Sequence, residues 1–299
     1  FLNNSPNLLV APAGYGKTHT IAKSVDILQK KGESPILVLT HTNAGITSIR
    51  EKFNKESVYT KSVTICTIAG FLQKIVHSLS KEPLQQDEIQ DAFYTQLYVS
   101  ALNLFKKNNF ILRNTIENSY KHIFVDEFQD CNKPQYEIIR VMSKWDIRVH
   151  MLLDPLQTIF NFDADHPDYL AFENRCSALT PDKVFRLDIP YRWRNANSPL
   201  DQCVIQWRAM IYDAICRGDK SVDLTQLPGI TYISGTYEDA RIKINSYTRK
   251  PGDVLVLHSN CHANNIKARG HVCMGSGYKL RVMESIDSSD FYDMALMID

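Results

Sequence analysis

The sequence contains no C-x-x-C pair, no apolar run approaching the roughly 20 residues that a membrane-spanning helix needs, and no surplus of either charge. Each absence excludes something. Without a long apolar run, no membrane segment is expected. Seven cysteines, odd in number and scattered, do not make the disulfide framework of a secreted domain. They fit reduced thiols in a cytoplasm, with Cys66, Cys131, Cys203 and Cys216 as small core fillers. Lys and Arg number 34 against 33 Asp and Glu, a net charge of +1, so any contact with a polyanion has to come from a local groove rather than a basic face. No internal repeat, low-complexity tract or long linker is present. What remains is a soluble globular composition, 44% apolar and 22% charged, in a 299-residue chain long enough for two lobes and a large core.

The hydrophobic pattern alternates short strands with helices. An apolar strand at Asn7 to Val10 runs into the turn Ala11 to Gly16, and a helix follows from Lys17 to about Lys31, ending at Gly32. Strands at Ile36 to Thr40 and Val63 to Thr67 each lead to a helix, near Asn43 to Phe53 and at Ile68 to Leu79. Such alternation predicts an α/β fold with a parallel sheet. Between about Lys81 and Tyr120 the strands stop, and Ile89, Phe93, Leu97, Ala101 and Leu104 mark one apolar helical face. The sheet resumes with Ile123 to Val125 and His150 to Leu153, continuous in apolar residues as strands covered on both faces require. After Val184 to Asp188, a helical stretch from about Asn195 to Arg217 precedes a further strand-helix series from Ile230 to Ala268. The expected organisation is a first α/β lobe at 1–80 and 121–192, a helical insertion at 81–120, and a second, incomplete lobe at 193–299.

The turn Ala11-Pro-Ala-Gly-Tyr-Gly-Lys-Thr18 has the spacing of a phosphate-binding loop, with alanine at its first glycine position. Gly14 and Gly16 let backbone N–H groups curl around phosphate oxygens, Lys17 neutralises the β and γ phosphates, and the Thr18 hydroxyl at the helix start can bind Mg²⁺. ATP and Mg²⁺ are therefore the expected cofactors. Ala13, Tyr15 and His19 are taken with Gly14, Gly16, Lys17 and Thr18 as the nucleotide-binding set. Further along, Ile123-Phe-Val-Asp-Glu-Phe-Gln-Asp130 puts two adjacent acids at the tip of an apolar strand. There Asp126 is placed to hold Mg²⁺ and Glu127 to polarise the attacking water.

The run Asp126-Glu-Phe-Gln-Asp130 closely resembles the DEXQD signature of the UvrD/Rep helicases of superfamily 1, and other segments follow in that family's order. Thr40-His-Thr-Asn-Ala44 looks like the motif whose loop lies beneath the DNA strand, and Thr64 to Phe71 looks like the next, with Ala69 and Gly70 where many members have His-Ser. Leu153-Asp-Pro-Leu-Gln-Thr-Ile-Phe160 is similar to GDxxQSIY, and Arg186-Leu-Asp-Ile-Pro-Tyr-Arg192 to LxxNYR, with Leu153 and Pro190 as departures. The resemblance implies a P-loop NTPase with two RecA-like parallel-sheet lobes. It implies that Gln157 senses the γ-phosphate, Arg192 stabilises the transferring charge and Tyr191 stacks on adenine. It also implies that His41, Thr42, Asn43, Thr67, Phe160 and Phe162 touch single-stranded or partly duplex DNA, the two rings by stacking on bases unless they fill a core instead. Pro251 to Asn260 looks like the first strand and turn of the second lobe. Two later family motifs have no counterpart before Asp299, and the loop begins only ten residues after Phe1, so the numbering is expected to start inside a longer protein and the motor to be incomplete.

The function expected from this pattern is an ATP hydrolase that moves along single-stranded DNA and separates duplexes. The departures at Ala11, Ala69, Gly70, Leu153 and Pro190 motivate a second reading, a nucleotide-switched subunit of a nuclease, as in Gabija-type phage defence. A helicase-nuclease fusion finds no carboxylate-rich nuclease motif in these residues. His258, Cys261, His262, His271 and Cys273 fall within sixteen residues but match no usual zinc spacing, and read as strand-end and surface groups. Trp193 and Arg194 read as a packing anchor and its neighbour rather than as DNA contacts.

Overall fold

The computed structural model describes residues 1–3, 5–80, 90–107, 110–158, 183–192, 199–217, 219, 221–223, 225, 227–230 and 242. The chain divides into two compact units, one of Phe1–Asp223 with Leu227–Gly229, the other of Leu224–Gln226 with Ile230–Asp299. The second unit, and with it the part of the expected second lobe after residue 230 and the His258 to Cys273 cluster, lies almost wholly outside the described residues.

The first unit is built on six parallel strands in the order β3-β2-β4-β5-β1-β6. They are β1 (Asn7–Val10), β2 (Ile36–Thr40), β3 (Val63–Thr67), β4 (His122–Val125), β5 (Arg148–Leu153) and β6 (Val184–Arg186). The helices are α1 (Lys17–Lys30), α2 (Asn43–Lys55), α3 (Ile68–Leu79), α4 (Gln90–Lys106), α5 (Phe110–Ser119), α6 (Lys133–Met142) and α7 (Pro199–Arg217). Side chains in a strand point alternately to the two faces, so a strand buried on both faces reads as an unbroken apolar run. The two cores divide accordingly. Leu8, Val10, Leu37, Leu39, Ile123, Val125, Val149, Met151 and Leu153 pack with residues of α3, α4, α5 and α6. Leu9, Ile36, Val38, Phe124 and Leu152 face the other way, against Ile21, Val25 and Leu28 of α1 and Ile49 and Phe53 of α2.

The helical segment after α3 lies on the first of these faces. Leu97 and Ala101 are buried in that core, and Phe93 and Leu104 pack against it. That is the apolar stripe read from the sequence; its first member, Ile89, lies outside the described residues. Helix starts follow local chemistry. Thr42 and Thr67 cap α2 and α3 by accepting from Gly45 N and Gly70 N, and Asn132 and Gln135 close a reciprocal capping box on α6. Gly45 is needed for packing as well, since a Cβ there would sit 2.4 Å from Thr40 Oγ1. Of the cysteines read as core fillers, Cys131 is buried, but Cys66 and Cys203 are only half-buried; the Cys216 side chain lies outside the described residues. Cys66 lies on β3, the edge strand of the sheet, and Cys203 on α7. The compact unit runs through α7 to Asp223, beyond the 192/193 boundary expected from the sequence.

At the amino ends of the central strands, apolar residues give way to a buried polar chain. Asn7 meets His150 Nδ1 at 3.0 Å, His150 Nε2 meets His122 Nδ1 at 2.9 Å, and His122 Nε2 meets Glu33 at 2.9 Å. Glu33 also receives Arg148. This chain explains why β4 and β5 begin at His122 and Arg148, earlier than their apolar runs suggest. His150 also stacks on Phe124, with ring centroids 4.8 Å apart. Burial, with His122 and Arg148 adding repulsion, pushes its imidazole down to about 3. Burial lowers His122 too, against its bond with Glu33.

An imidazole whose pKa falls on folding takes its proton more readily in the unfolded chain, so stability is lost as pH drops below the ordinary value of 6.5 and keeps falling toward about 3. Urea unfolding at a series of pH values checks this. Between 6.5 and about 5, the His150→Gln variant is expected to lose stability more slowly than the wild type, by up to about 1.4 kcal/mol per pH unit. Parallel curves would contradict it.

Candidate nucleotide-binding site

All the strands are parallel, so their carboxyl ends share one edge, and the loops leaving that edge carry the conspicuous polar residues. From β1 the chain turns through Gly14 and Gly16, both in the left-handed region at φ 81° and 92°, and Gly16 leads directly into α1. The turn is held by Ala11 N donating to Leu153 O at 2.8 Å, Tyr15 N to Pro12 O at 3.0 Å, and Arg192 N to Gly14 O at 2.9 Å. The last bond lays the segment after β6 across the loop. Tyr191 lies with its ring about 3.5 Å from the position a Cβ at Gly16 would take, an ordinary contact, and it is the left-handed backbone at φ 92° that favours glycine there.

Lys17 opens α1, and its side chain is only 11% exposed. It is ion-paired with Glu127 and lies 3.6 Å from Asp126 Oδ1. Asp126 is buried immediately beyond β4, its N–H donating to Leu39 O at 2.8 Å, and Glu127 takes a left-handed conformation at φ 52° that turns the chain. Burial opposes the charge on Lys17, yet the Asp126 and Glu127 carboxylates outweigh it and raise the lysine above its ordinary value. Burial also dominates at Asp126, pushing the carboxyl up to about 6, with Glu127 adding repulsion and Lys17 opposing. Asp126 Oδ1 is buried with no hydrogen-bond partner among the described residues.

Between β1 and β4 in the sheet lies β5, and its end supplies the link between loop and acids. Asp154, wholly buried, accepts from Ala13 N of the loop at 2.8 Å. Its own N–H donates to Gln129 Oε1 at 3.1 Å, and Gln129 Nε2 donates to Glu127 at 2.8 Å and to the Gln157 carbonyl at 3.4 Å. Arg208 of α7 donates to both Asp154 oxygens, at 2.6 and 2.8 Å. The sequence reading gave no role to Asp154, Gln129 or Arg208. The first two stand inside quoted motifs; Arg208 carries no local signal.

Ala13, Gly14, Gly16, Lys17, Asp126, Glu127, Gln157, Tyr191 and Arg192 are thus brought to one edge, with Tyr15 in the same loop and Thr18 on the first turn of α1. His19 meets Glu56 at 3.0 Å. Hydrogen bonds from Lys23 and Lys52 lead in holding Glu56 down to about 2. The residues assigned to DNA lie along the same edge farther out, at β2 and β3. His41 contacts Cys131 Sγ at 3.6 Å, Thr42 and Thr67 spend their hydroxyls on helix caps, and Asn43 opens α2 exposed. Phe160, Phe162, Trp193 and Arg194 lie outside the described residues. Among the described residues no helix is long and apolar enough to cross a membrane, and no group of three or more His, Cys, Asp or Glu is placed to hold a metal.

A parallel sheet that delivers a loop lysine from one strand end to paired acids at another has the architecture of the P-loop nucleoside triphosphatases. Within that class the match is closer. The family profile described as the UvrD/REP helicase N-terminal domain matches residues 1–90 and 79–177, more than half of the chain, which therefore belongs to that family. Curated relatives include the RecBCD enzyme subunit RecB of Buchnera aphidicola, 34% identical over 93 residues, a match that covers 30% of this chain and 8% of the relative. A probable DNA helicase II homolog of Mycoplasma capricolum is 32% identical over 111 residues, covering 36% and 15%. ATP-dependent DNA helicase PcrA of Staphylococcus aureus is 29% identical over 99 residues, covering 33% and 13%. The chain thus spans only a small part of the length of these relatives. Among solved structures, Pif1 helicase from Candida albicans covers 86% of this chain and 54% of its own at 13% identity and a TM-score of 0.43, a likeness too loose to carry an argument.

Gln129 occupies a position where loss is readily measured. Gln129→Leu removes the acceptor for the buried Asp154 N–H, and an unsatisfied buried donor costs about 1–3 kcal/mol. Chemical denaturation is expected to show that loss; a variant as stable as the wild type would mean that the bridge holds nothing.

Proposed function

We propose that this chain carries the ATP-hydrolysing site of a DNA translocase or helicase. The observation that supports the reading most directly is the convergence of Lys17, Asp126 and Glu127 at one sheet edge, in a chain that belongs to the UvrD/Rep helicase family. In this reading the loop amides and Lys17 take the nucleotide phosphates, with Gly14 and Gly16 allowing the close approach. Lys17 leaves Glu127 for the phosphates, and Glu127, steadied by Gln129, orients and polarises the attacking water. Gln157 and Arg192 respond to the γ-phosphate, and Tyr191, over Gly16, offers a ring for adenine. Thr18 and Asp126 would hold Mg²⁺, which neutralises phosphate charge when bound, and the buried Asp126 Oδ1, 3.6 Å from the Lys17 ammonium but without a hydrogen-bond partner among the described residues, fits that assignment.

The DNA strand is assigned to the outer part of the same edge, along His41, Thr42, Asn43 and Thr67, with Phe160 and Phe162 as stacking residues. Closing and opening of a cleft between two RecA-like lobes during hydrolysis would then advance the protein along the strand. RecB is by its name a subunit of a larger enzyme, which supports looking for a partner subunit by copurification, the sequence itself having raised a nuclease of the phage-defence type.

Steady-state ATP hydrolysis by the intact protein, with and without single-stranded DNA at fixed low salt, tests the proposal. Stimulation by DNA is expected, and Lys17→Ala should lower turnover by about 10²-fold or more, the scale on which a preorganised charge at the reacting group acts. Turnover that survives Lys17→Ala would sink the assignment of the site. ATP hydrolysis indifferent to DNA would move the reading to a nucleotide-switched subunit.

A further inference from the structure

Arg208 lies in α7, beyond the last of the motifs, yet it reaches the floor of the nucleotide site. Its Nη2 donates to both oxygens of Asp154, the side chain is 19% exposed, and its Nε is buried without a hydrogen-bond partner among the described residues. Asp154 is wholly buried and has three further ties: Oδ2 accepts from Ala13 N at 2.8 Å, Oδ1 from Leu156 N at 3.1 Å, and its N–H donates to Gln129. One residue therefore joins the phosphate loop, the turn after β5 and α7 through its carboxylate, and the acidic motif through its N–H and Gln129.

A carboxylate wholly withdrawn from water needs a permanent counter-charge. Lys17 is close enough to feel Asp154 but is engaged by Asp126 and Glu127 and, on the reading above, is needed by the phosphates. Among the described residues the cation ion-paired with Asp154 is Arg208. Without it a bare negative charge would sit under the loop that must receive a polyanion.

We infer that Arg208 is a positioning residue for the nucleotide site: by neutralising Asp154 it keeps the Ala13 N–H and the phosphate loop in register for an anion, and it ties α7 to the state of that loop. The inference rests on the proposed ATP binding, and the experiment separates the two. ATP turnover and binding of a fluorescent ATP analogue are measured on the intact wild type, Arg208→Met, Arg208→Lys and the neutral pair Arg208→Met/Asp154→Asn. Arg208→Met is expected to raise KM and Kd about tenfold, the order expected for one unneutralised interior charge, with kcat changed far less. Arg208→Lys recovers part of the affinity, and the neutral pair binds more tightly than Arg208→Met alone, because no bare carboxylate remains. A role confined to packing would give no such recovery. Normal binding by Arg208→Met, or a neutral pair worse than the single variant, overturns the inference and leaves the ATP reading standing; a wild type that binds no nucleotide overturns both. Should Arg208→Met fail to fold, a neutral pair that binds within about threefold of the wild type supports the inference and one that does not bind overturns it.

Discussion

The structure of the first unit turns on a buried cation. Lys17 is drawn out of water against two carboxylates that arrive from a different strand, and the ion pair is tolerable only because loop and acids are fixed from several sides. The strand order explains how. Since β5 lies between β1 and β4, the residue just past its end, Asp154, stands between loop and acids, holding Ala13 with its carboxylate and Gln129 with its amide. The core on both sheet faces supplies the rigidity, with strand residues wholly buried, so the charged groups at the edge sit on elements that cannot drift.

The two ends of the sheet are polar for different reasons. At the amino ends, Asn7, His150, His122 and Glu33 satisfy one another in a chain that burial keeps neutral at its histidines, an arrangement for holding strands in place. At the carboxyl ends a full charge is concentrated beside loops, and Asp126 keeps an oxygen without a hydrogen-bond partner among the described residues. Groups of the first kind complete the fold; those of the second kind are the ones the proposed function gives to a ligand.

Much of this was legible before any coordinates. Continuous apolar runs marked the strands because both faces are covered, and the glycines, lysine and paired acids carry chemistry that depends on local spacing alone. The apolar stripe through Phe93, Leu97, Ala101 and Leu104 foretold which side of α4 faces the core it shares with α3 and α6. Local spacing could not reveal partnerships made across the chain. The strands read as starting at Ile123 and His150 begin at His122 and Arg148, with His122 buried and bonded to His150 and Glu33. Arg208 is 54 residues from Asp154 and belongs to no motif, so only the packing of α7 exposes its role. His19, taken as a nucleotide contact, is engaged with Glu56, a residue that its own helix does not announce.

In the proposed function Lys17 exchanges its carboxylate partners for phosphate. A crystal structure of the protein with Mg²⁺ and a non-hydrolysable ATP analogue tests it most directly. The account predicts Lys17 Nζ on the β and γ phosphate oxygens, with Glu127 released and Asp126 turned to the metal. A nucleotide bound elsewhere, with Lys17 still paired to Glu127, would contradict it.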